Sequence, residues 1–418
     1  MKKIGKLLLV ATLMAGGIAG IHPSQSSAAA PVQILLDGYP LAFSGDPVIV
    51  NGTTLVPFRS ISEALGISVT WNQAAKAITA VKGGGARALR VELTLDSNTA
   101  KVNNNSVTLA VAPRSINGNT LIPLSFFSQQ FGAGVAWNQA TRTVSIISPQ
   151  KRLYTLGFYA ISSYSEVDVI PSLDAVAFGW SRIDKNGQFT LTGDDYKLPQ
   201  AAGDVTPDSL VEEAANDRTL PYLMVYAGDT QGELTKIIED ITLREQVIKD
   251  MIDTAKDKSF QGILLDFEGL GLTTDKTSTR QAFTSFVKDL ARQAGNSGLK
   301  LALALHPLNS SYQGYDYKAL GAIADELVIM AYDYLPGDNS NKPQPANKVE
   351  EAIQLALKET SKNKLILGMN MNSENQTSVK TLVGLAKRHD LKGIALWRLG
   401  IIKNEEWTSL KQSVEFKK

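Results

Sequence analysis

From Leu153 onward the chain alternates short, continuously apolar runs with amphipathic stretches. The runs are Leu153 to Ala160, Asp174 to Ile183, Pro221 to Gly228, Gly262 to Glu268, Lys300 to His306, Asp325 to Tyr334, Lys364 to Met371 and Gly393 to Gly400. Between most of them lie segments with helical spacing, such as LREQVIKDMIDTAKD, RQAFTSFVKDLARQAG and VEEAIQLALKET. Strands that are apolar on both faces, separated by helices, predict a parallel sheet covered on each side. Eight of them predict a closed (β/α)8 barrel. An open doubly wound sheet follows the same alternation, but no Gly-rich phosphate loop follows the first run.

The pattern upstream is different and repeats itself. VNGTTLVPFRSISEALGISVTWNQAAKAITA (Val50 to Ala80) recurs as INGNTLIPLSFFSQQFGAGVAWNQATRTVSI (Ile116 to Ile146) at a constant offset of 66 positions. Asn51, Gly52, Leu55, Pro57, Gly66, Trp71, Asn72 and Gln73 all return in the second copy. Each copy predicts a turn at Asn-Gly, a short extended piece, a helix and a hairpin around WNQ. In the first copy Ile61, Ala64 and Leu65 share one helix face, and Gly66 suits the helix stop. Trp71 and Trp137 occupy equivalent points. A Trp so placed is expected to plug its own repeat's core; the alternative is a platform on which a sugar ring stacks. The predicted organisation is a leader over 1–29, a duplicated α+β domain over 31–148 and the barrel over 152–418.

Composition narrows the chemistry. The chain has no cysteine and three histidines, His22, His306 and His389. Without thiols it forms no disulfide and offers no cysteine-ligated metal site, and its histidines do not make a His-rich zinc site. No G-x-S-x-G occurs, and no metal or cofactor is expected. Lys2, Lys3 and Lys6 precede an apolar stretch, Leu7 to Ile21, and small residues at Ser27 to Ala30. This reads as a secretory leader cut near Ala28 or Ala29, leaving no membrane segment and a secreted or wall-associated protein. With 42 basic and 41 acidic residues in the whole chain, loss of those three lysines leaves 39 against 41. So even a balance gives no attraction to nucleic acid or anionic lipid.

The stretch GILLDFEG sets two carboxylates, Asp266 and Glu268, at the end of the fourth apolar run. In such a barrel, sites form at the C-terminal ends of the strands. Residues two apart on a strand face the same way. Leu264, Asp266 and Glu268 are therefore expected to point into the barrel mouth, with Leu265 and Phe267 packed outward. One carboxylate raises the pKa of its neighbour, and a raised acid can protonate a leaving oxygen at neutral pH.

QGILLDFEGL resembles the D-x-x-D-x-D-x-E signature of family-18 glycoside hydrolases, and most closely their spore-germination and cell-wall lytic branch. Glu268 falls on the motif's glutamate and Asp266 on its last aspartate; Gln261 and Leu264 replace the first two aspartates. MAYDY at the sixth run resembles the family's M-x-Y-D element, and ALWRLG at the eighth its aromatic floor. The duplicated unit, Pro31 to Ile147, resembles the stalk-like domain named after the N-terminal domain of copper amine oxidases, although it has no residue suited to copper.

The resemblance implies a retaining, substrate-assisted glycosidase acting at N-acetylglucosamine in peptidoglycan or chitin-type glycans. Glu268 would be the acid, and Asp266 and Tyr332 would orient the 2-acetamido group. Asp333 and Trp397 would bind substrate, and Tyr159 and Trp180 are further sugar contacts or core residues. His306 lies at the level of the site. The stalk-like unit would be a wall-proximal spacer or accessory binding module. Leu264 keeps a second reading open: a cell-wall sugar-binding barrel without turnover.

Overall fold

All eight apolar runs form parallel strands in the computed structural model, which describes residues 31–85, 88–335 and 342–418. They are β1 (Tyr154–Tyr159), β2 (Ala175–Ile183), β3 (Leu220–Ala227), β4 (Gly262–Phe267), β5 (Lys300–Leu305), β6 (Glu326–Ile329), β7 (Leu365–Asn370) and β8 (Gly393–Trp397). Each pairs with the next, and β8 pairs back onto β1, so the sheet closes. The leader predicted at residues 1–29 lies outside the described residues.

Alternation along the strands builds two cores. Leu156, Phe158, Met224, Leu264, Ala302 and Ile366 fill the barrel. Leu265 and Phe267 face the helix layer instead, the division expected for β4. Small residues of β2 and β5 (Ala175, Ala177, Ala302, Ala304) share the interior with Phe158, Tyr222 and Met224, so large side chains have room without voids. At the N-terminal end of the strands a polar cluster closes the interior. Lys392 Nζ donates to Glu326 Oε1 at 2.6 Å and Tyr222 Oη to Glu326 Oε2 at 3.2 Å. The open mouth is therefore at the other end.

The helices form for local reasons as well as apolar ones. Asp275 accepts from Thr277 and Ser278 amides and starts Lys276–Asn296, whose Phe283, Phe286, Val287, Leu290 and Ala294 are buried at helical spacing. Asp240 does the same for Ile241–Asp257. The β1–β2 connection is 3-10 over Ser163–Ser172, with Pro171 inside it.

The repeats form a separate layer. In each, a strand (Thr53–Pro57, Asn119–Pro123) leads into a seven-residue helix (Phe58–Ala64, Leu124–Gln130) and then a hairpin. The copies meet antiparallel through the same strand, Val56 pairing with its own counterpart Ile122, which gives an approximate two-fold. Beyond that strand the symmetry breaks. The first hairpin extends into Leu89–Thr94, the second into Gln33–Leu36.

This module sits on the barrel helix Gln376–Arg388. Asp37, buried, accepts from Ser148 N at 2.9 Å and Ser148 Oγ at 2.6 Å. Arg388 donates to the carbonyls of Leu36, Tyr39 and Pro40 at 3.1–3.3 Å and lies over the Tyr39 ring. A Cβ on Gly384 would meet Asp37 Cβ at 2.4 Å, so only glycine permits this approach. Arg388 ends a helix that runs back from the mouth, so the junction is at the closed end of the barrel.

Candidate active site

The tip of β4 carries the acids, and the layer beneath explains their state. Leu264 is fully buried and pairs in register with Met224, sharing the interior with Phe158. None of these can hydrogen-bond a carboxylate. Asp266, only 3% exposed, sits directly above, and its Oδ1 has no hydrogen-bond partner. Burial first, and then the neighbouring Glu268, hold its pKa well above the usual carboxylate range. Glu268 follows the strand, its amide donating to Ala227 O at 2.8 Å. Its side chain is 37% open on the cleft side. Burial, and next the charge of Asp333, push its pKa up to about 7.

Tyr332 and Asp333 arrive differently from the expectation. The sixth run was predicted to stay extended through Tyr334, but β6 ends at Ile329. Tight turns follow, with Ala331 N bonding Ile329 O and Tyr332 N bonding Met330 O at 2.8 Å each. Asp333 then takes a left-handed φ of 62°. The turn lays the Tyr332 ring against Gly368 of β7, where a Cβ would lie 3.2 Å away. The ring packs against the barrel interior, and its hydroxyl pKa is raised by burial and then by the charges of Asp266 and Glu268. Asp333 is exposed and bonded to the Asn370 side chain. Trp397 ends β8 half-buried, edge-on to Phe158 with ring centroids 5.2 Å apart. Acid pair, tyrosine and tryptophan thus share one mouth.

Tyr159 and Trp180 do not join them. On β1 it is Phe158 that points inward; Tyr159 is 6% exposed in the outer core and packs on Phe178 and Trp180. Trp180 is 3% exposed, tilted against Phe178 and edge-on to Phe260. Strand alternation assigns both to the helix side. They line a cavity of about 450 Å³ beside the mouth, together with Tyr164, Asp195 and Tyr196.

Two site tyrosines escaped the sequence reading. Tyr226 ends β3 on its inward face, a position that alternation from Tyr222 and Met224 would have revealed. Tyr196 comes from the long β2–β3 excursion, which carries no periodic signal. Their rings stack at 4.2 Å, and Tyr196 is 6.3 Å from Trp397. Burial, then Asp266 or Glu268, raises both hydroxyls, Tyr226 to about 12.

Among the described residues no group of three or more His, Cys, Asp or Glu could hold a metal ion, and no helix is long and apolar enough to cross a membrane. In the module, the expectation that Trp71 and Trp137 plug the core is overturned. They are 36% and 42% exposed, each indole N–H donating to the Gln two residues on at 2.7 and 2.8 Å. Both stand on edge strands, where one flank has no neighbour to cover it.

Comparison with known proteins agrees with this architecture. Residues 35–146 match the copper amine oxidase N-terminal domain, and residues 155–390 match the glycosyl hydrolases family 18. The chain is 28% identical over 161 residues to the cortical fragment-lytic enzyme of Bacillus subtilis (strain 168), a match covering 36% of each. The matches span between about a third and just over half of the length of the curated relatives. The fold is similar to a chitinase from Chromobacterium violaceum ATCC 12472, with a TM-score of 0.52, 22% identity, and 62% of this chain and 98% of that one covered. The spore cortex-lytic enzyme of Bacillus cereus gives a TM-score of 0.52 at 17% identity, over 65% of this chain and 77% of that one.

Proposed function

The chain belongs to the glycosyl hydrolases of family 18, and from that premise we propose that it cleaves β-1,4 bonds at N-acetylglucosamine in cell-wall peptidoglycan or chitin-type glycans. The observation that carries the reading is the mouth itself: Glu268 at the tip of β4 beside a buried Asp266 with an unpartnered Oδ1, and Tyr332 and Trp397 packed against the same interior. Burial and Asp333 push the Glu268 pKa up to about 7 there. Below that pKa Glu268 holds the proton that a glycosidic oxygen needs on leaving. The substrate's 2-acetamido carbonyl oxygen attacks the anomeric carbon as the bond breaks, giving a cyclic oxazolinium, an exception to the two-carboxylate scheme. The unpartnered Oδ1 of Asp266 accepts the acetamido N–H, and the Tyr332 hydroxyl donates to its carbonyl. Water, giving its proton to the ionised Glu268, opens the ring with retained configuration. Trp397 stacks under the sugar ahead of the cut.

Peptidoglycan is preferred because the relative from Bacillus subtilis (strain 168) is named a cortical fragment-lytic enzyme and the stalk-like module suits a protein held in the wall. Secretion through the leader is part of the proposal; a mature N-terminus elsewhere than near Ala28–Ala29 in the culture medium would refute it. The main test incubates wild type and Glu268→Gln with chitooligosaccharides and with peptidoglycan. Wild type should release product whose first anomer is β, with the rate falling above pH ~7; the variant should bind and lose about 10²–10⁴-fold in kcat. Binding without turnover by the wild type on both polymers would establish instead a sugar-binding barrel.

A further inference from the structure

The end of β5 places a histidine beside the acid. His306 is held by two rings and through its backbone. Its ring stacks on Tyr312 with centroids 4.0 Å apart and planes 18° apart, and leans on Tyr315 at 5.9 Å. Its carbonyl accepts from Tyr317 Oη at 3.0 Å. Nε2 is fully buried and has no hydrogen-bond partner. The group it faces is Glu268, with Oε2 at 3.8 Å. A buried nitrogen left unbonded costs free energy, and a sub-ångström swing of the more open Glu268 side chain would satisfy it.

Resting on the assignment of Glu268 as the acid, we propose that His306 is its positioning residue: Nε2–H closes onto the Glu268 carboxylate whenever that carboxylate is ionised. Such contacts are often long in the empty site and tighten during turnover. The imidazole is no charge partner. Burial lowers its pKa to about 4, so it is neutral wherever Glu268 is ionised. A neutral donor attracts the carboxylate more strongly than the protonated acid. Glu268 is therefore free to turn toward the glycosidic oxygen while it holds a proton, and is fixed for the water step once it has lost it. The imidazole keeps its own proton throughout.

The two acids around Glu268 cannot do this. Asp266 on β4 and Asp333 after β6 are acids that repel its charge. Tyr196, Tyr226, Tyr315 and Tyr332 are near enough to feel it. Of these, Tyr315 already donates to Phe267 O at 2.8 Å.

The test compares His306→Phe, which keeps the stack on Tyr312 and loses the nitrogen, with His306→Gln, which returns an N–H donor at similar reach. Loss of a donor to the charged form raises an acid's pKa. The alkaline limb of kcat/KM on chitooligosaccharides should move up by about one pH unit in His306→Phe, with kcat down about tenfold and KM within about twofold. His306→Gln should restore the limb. An unmoved limb in His306→Phe, or an equal displacement in both variants, overturns the proposal. Should the Phe variant fail to fold, His306→Asn, polar but too short to reach, takes its place with the same expected limb. Full activity of Glu268→Gln would sink the acid assignment itself; wild-type behaviour of His306→Phe beside a dead Glu268→Gln sinks only this inference.

Discussion

Trp180 and Trp71 belong to the same residue type and both stand on strands, yet Trp180 is 3% exposed and Trp71 is 36%. The difference lies in what covers the sheet. Every barrel strand has a packed interior on one face and helices on the other, so a large side chain on either face is buried. The hairpin strands Ser68–Asn72 and Gly134–Asn138 are edges of small sheets. There even the side facing the core ends in solvent, so a residue's type does not decide its burial.

The contrast is broken most severely by charging the barrel interior. Leu264→Asp would restore the aspartate of the family motif, but over Met224 and Phe158, which offer it no hydrogen bond. The expected loss is about 3–5 kcal/mol in urea unfolding. Val69→Asp in the half-buried module strand should cost well under half as much. A Leu264→Asp variant of near wild-type stability and higher turnover would show that the apolar floor under Asp266 is dispensable.

The barrel was legible because its signal is redundant: eight apolar runs, most of them separated by helical spacing, predict the same sheet. The acid tip was legible too, since two-residue alternation places Leu264 and Asp266 inward and Leu265 outward. What failed has local causes. Alternation counted from Phe158 and Gly179 would have sent Tyr159 and Trp180 outward, away from the acids. The sixth run looked extended because MAYDY is largely apolar, and only the tight turns at Ala331 and Tyr332 end the strand and lay the Tyr332 ring against Gly368. Tyr196 was invisible because the β2–β3 excursion has no period. His306 was visible as a residue at the right level, but its partner across the mouth is a matter of three dimensions alone.

The junction sharpens the comparison by asking whether the two regions unfold together. Arg388 satisfies three carbonyls of the module from a barrel helix and is the strongest polar link between them. Arg388→Ala should destabilise the module by about 1.5–3 kcal/mol, the range for hydrogen bonds to a charged group. Calorimetry should then show the module melting ahead of the barrel, with turnover on short soluble oligosaccharides unchanged. A single unshifted transition would mean that the close approach of Asp37 to Gly384 and the bond from Lys387 to Ser148 O hold the junction without it.

The smallest effect is expected from the tryptophans that the sequence placed in the core. Trp71 lies across from buried Ile78, and Trp137 across from buried Val144. Each therefore stands on the same face of its hairpin as a buried residue, yet is itself exposed. Replacing either by Ala should cost about 1 kcal/mol or less, against about 3–5 kcal/mol for the fully buried Phe127→Ala in the same module. The two losses should add, since the hairpins belong to different sheets. A loss comparable with that of Phe127→Ala would return Trp71 and Trp137 to the core and erase the difference between edge and barrel strands. A small loss leaves two rings whose exposed faces folding does not require.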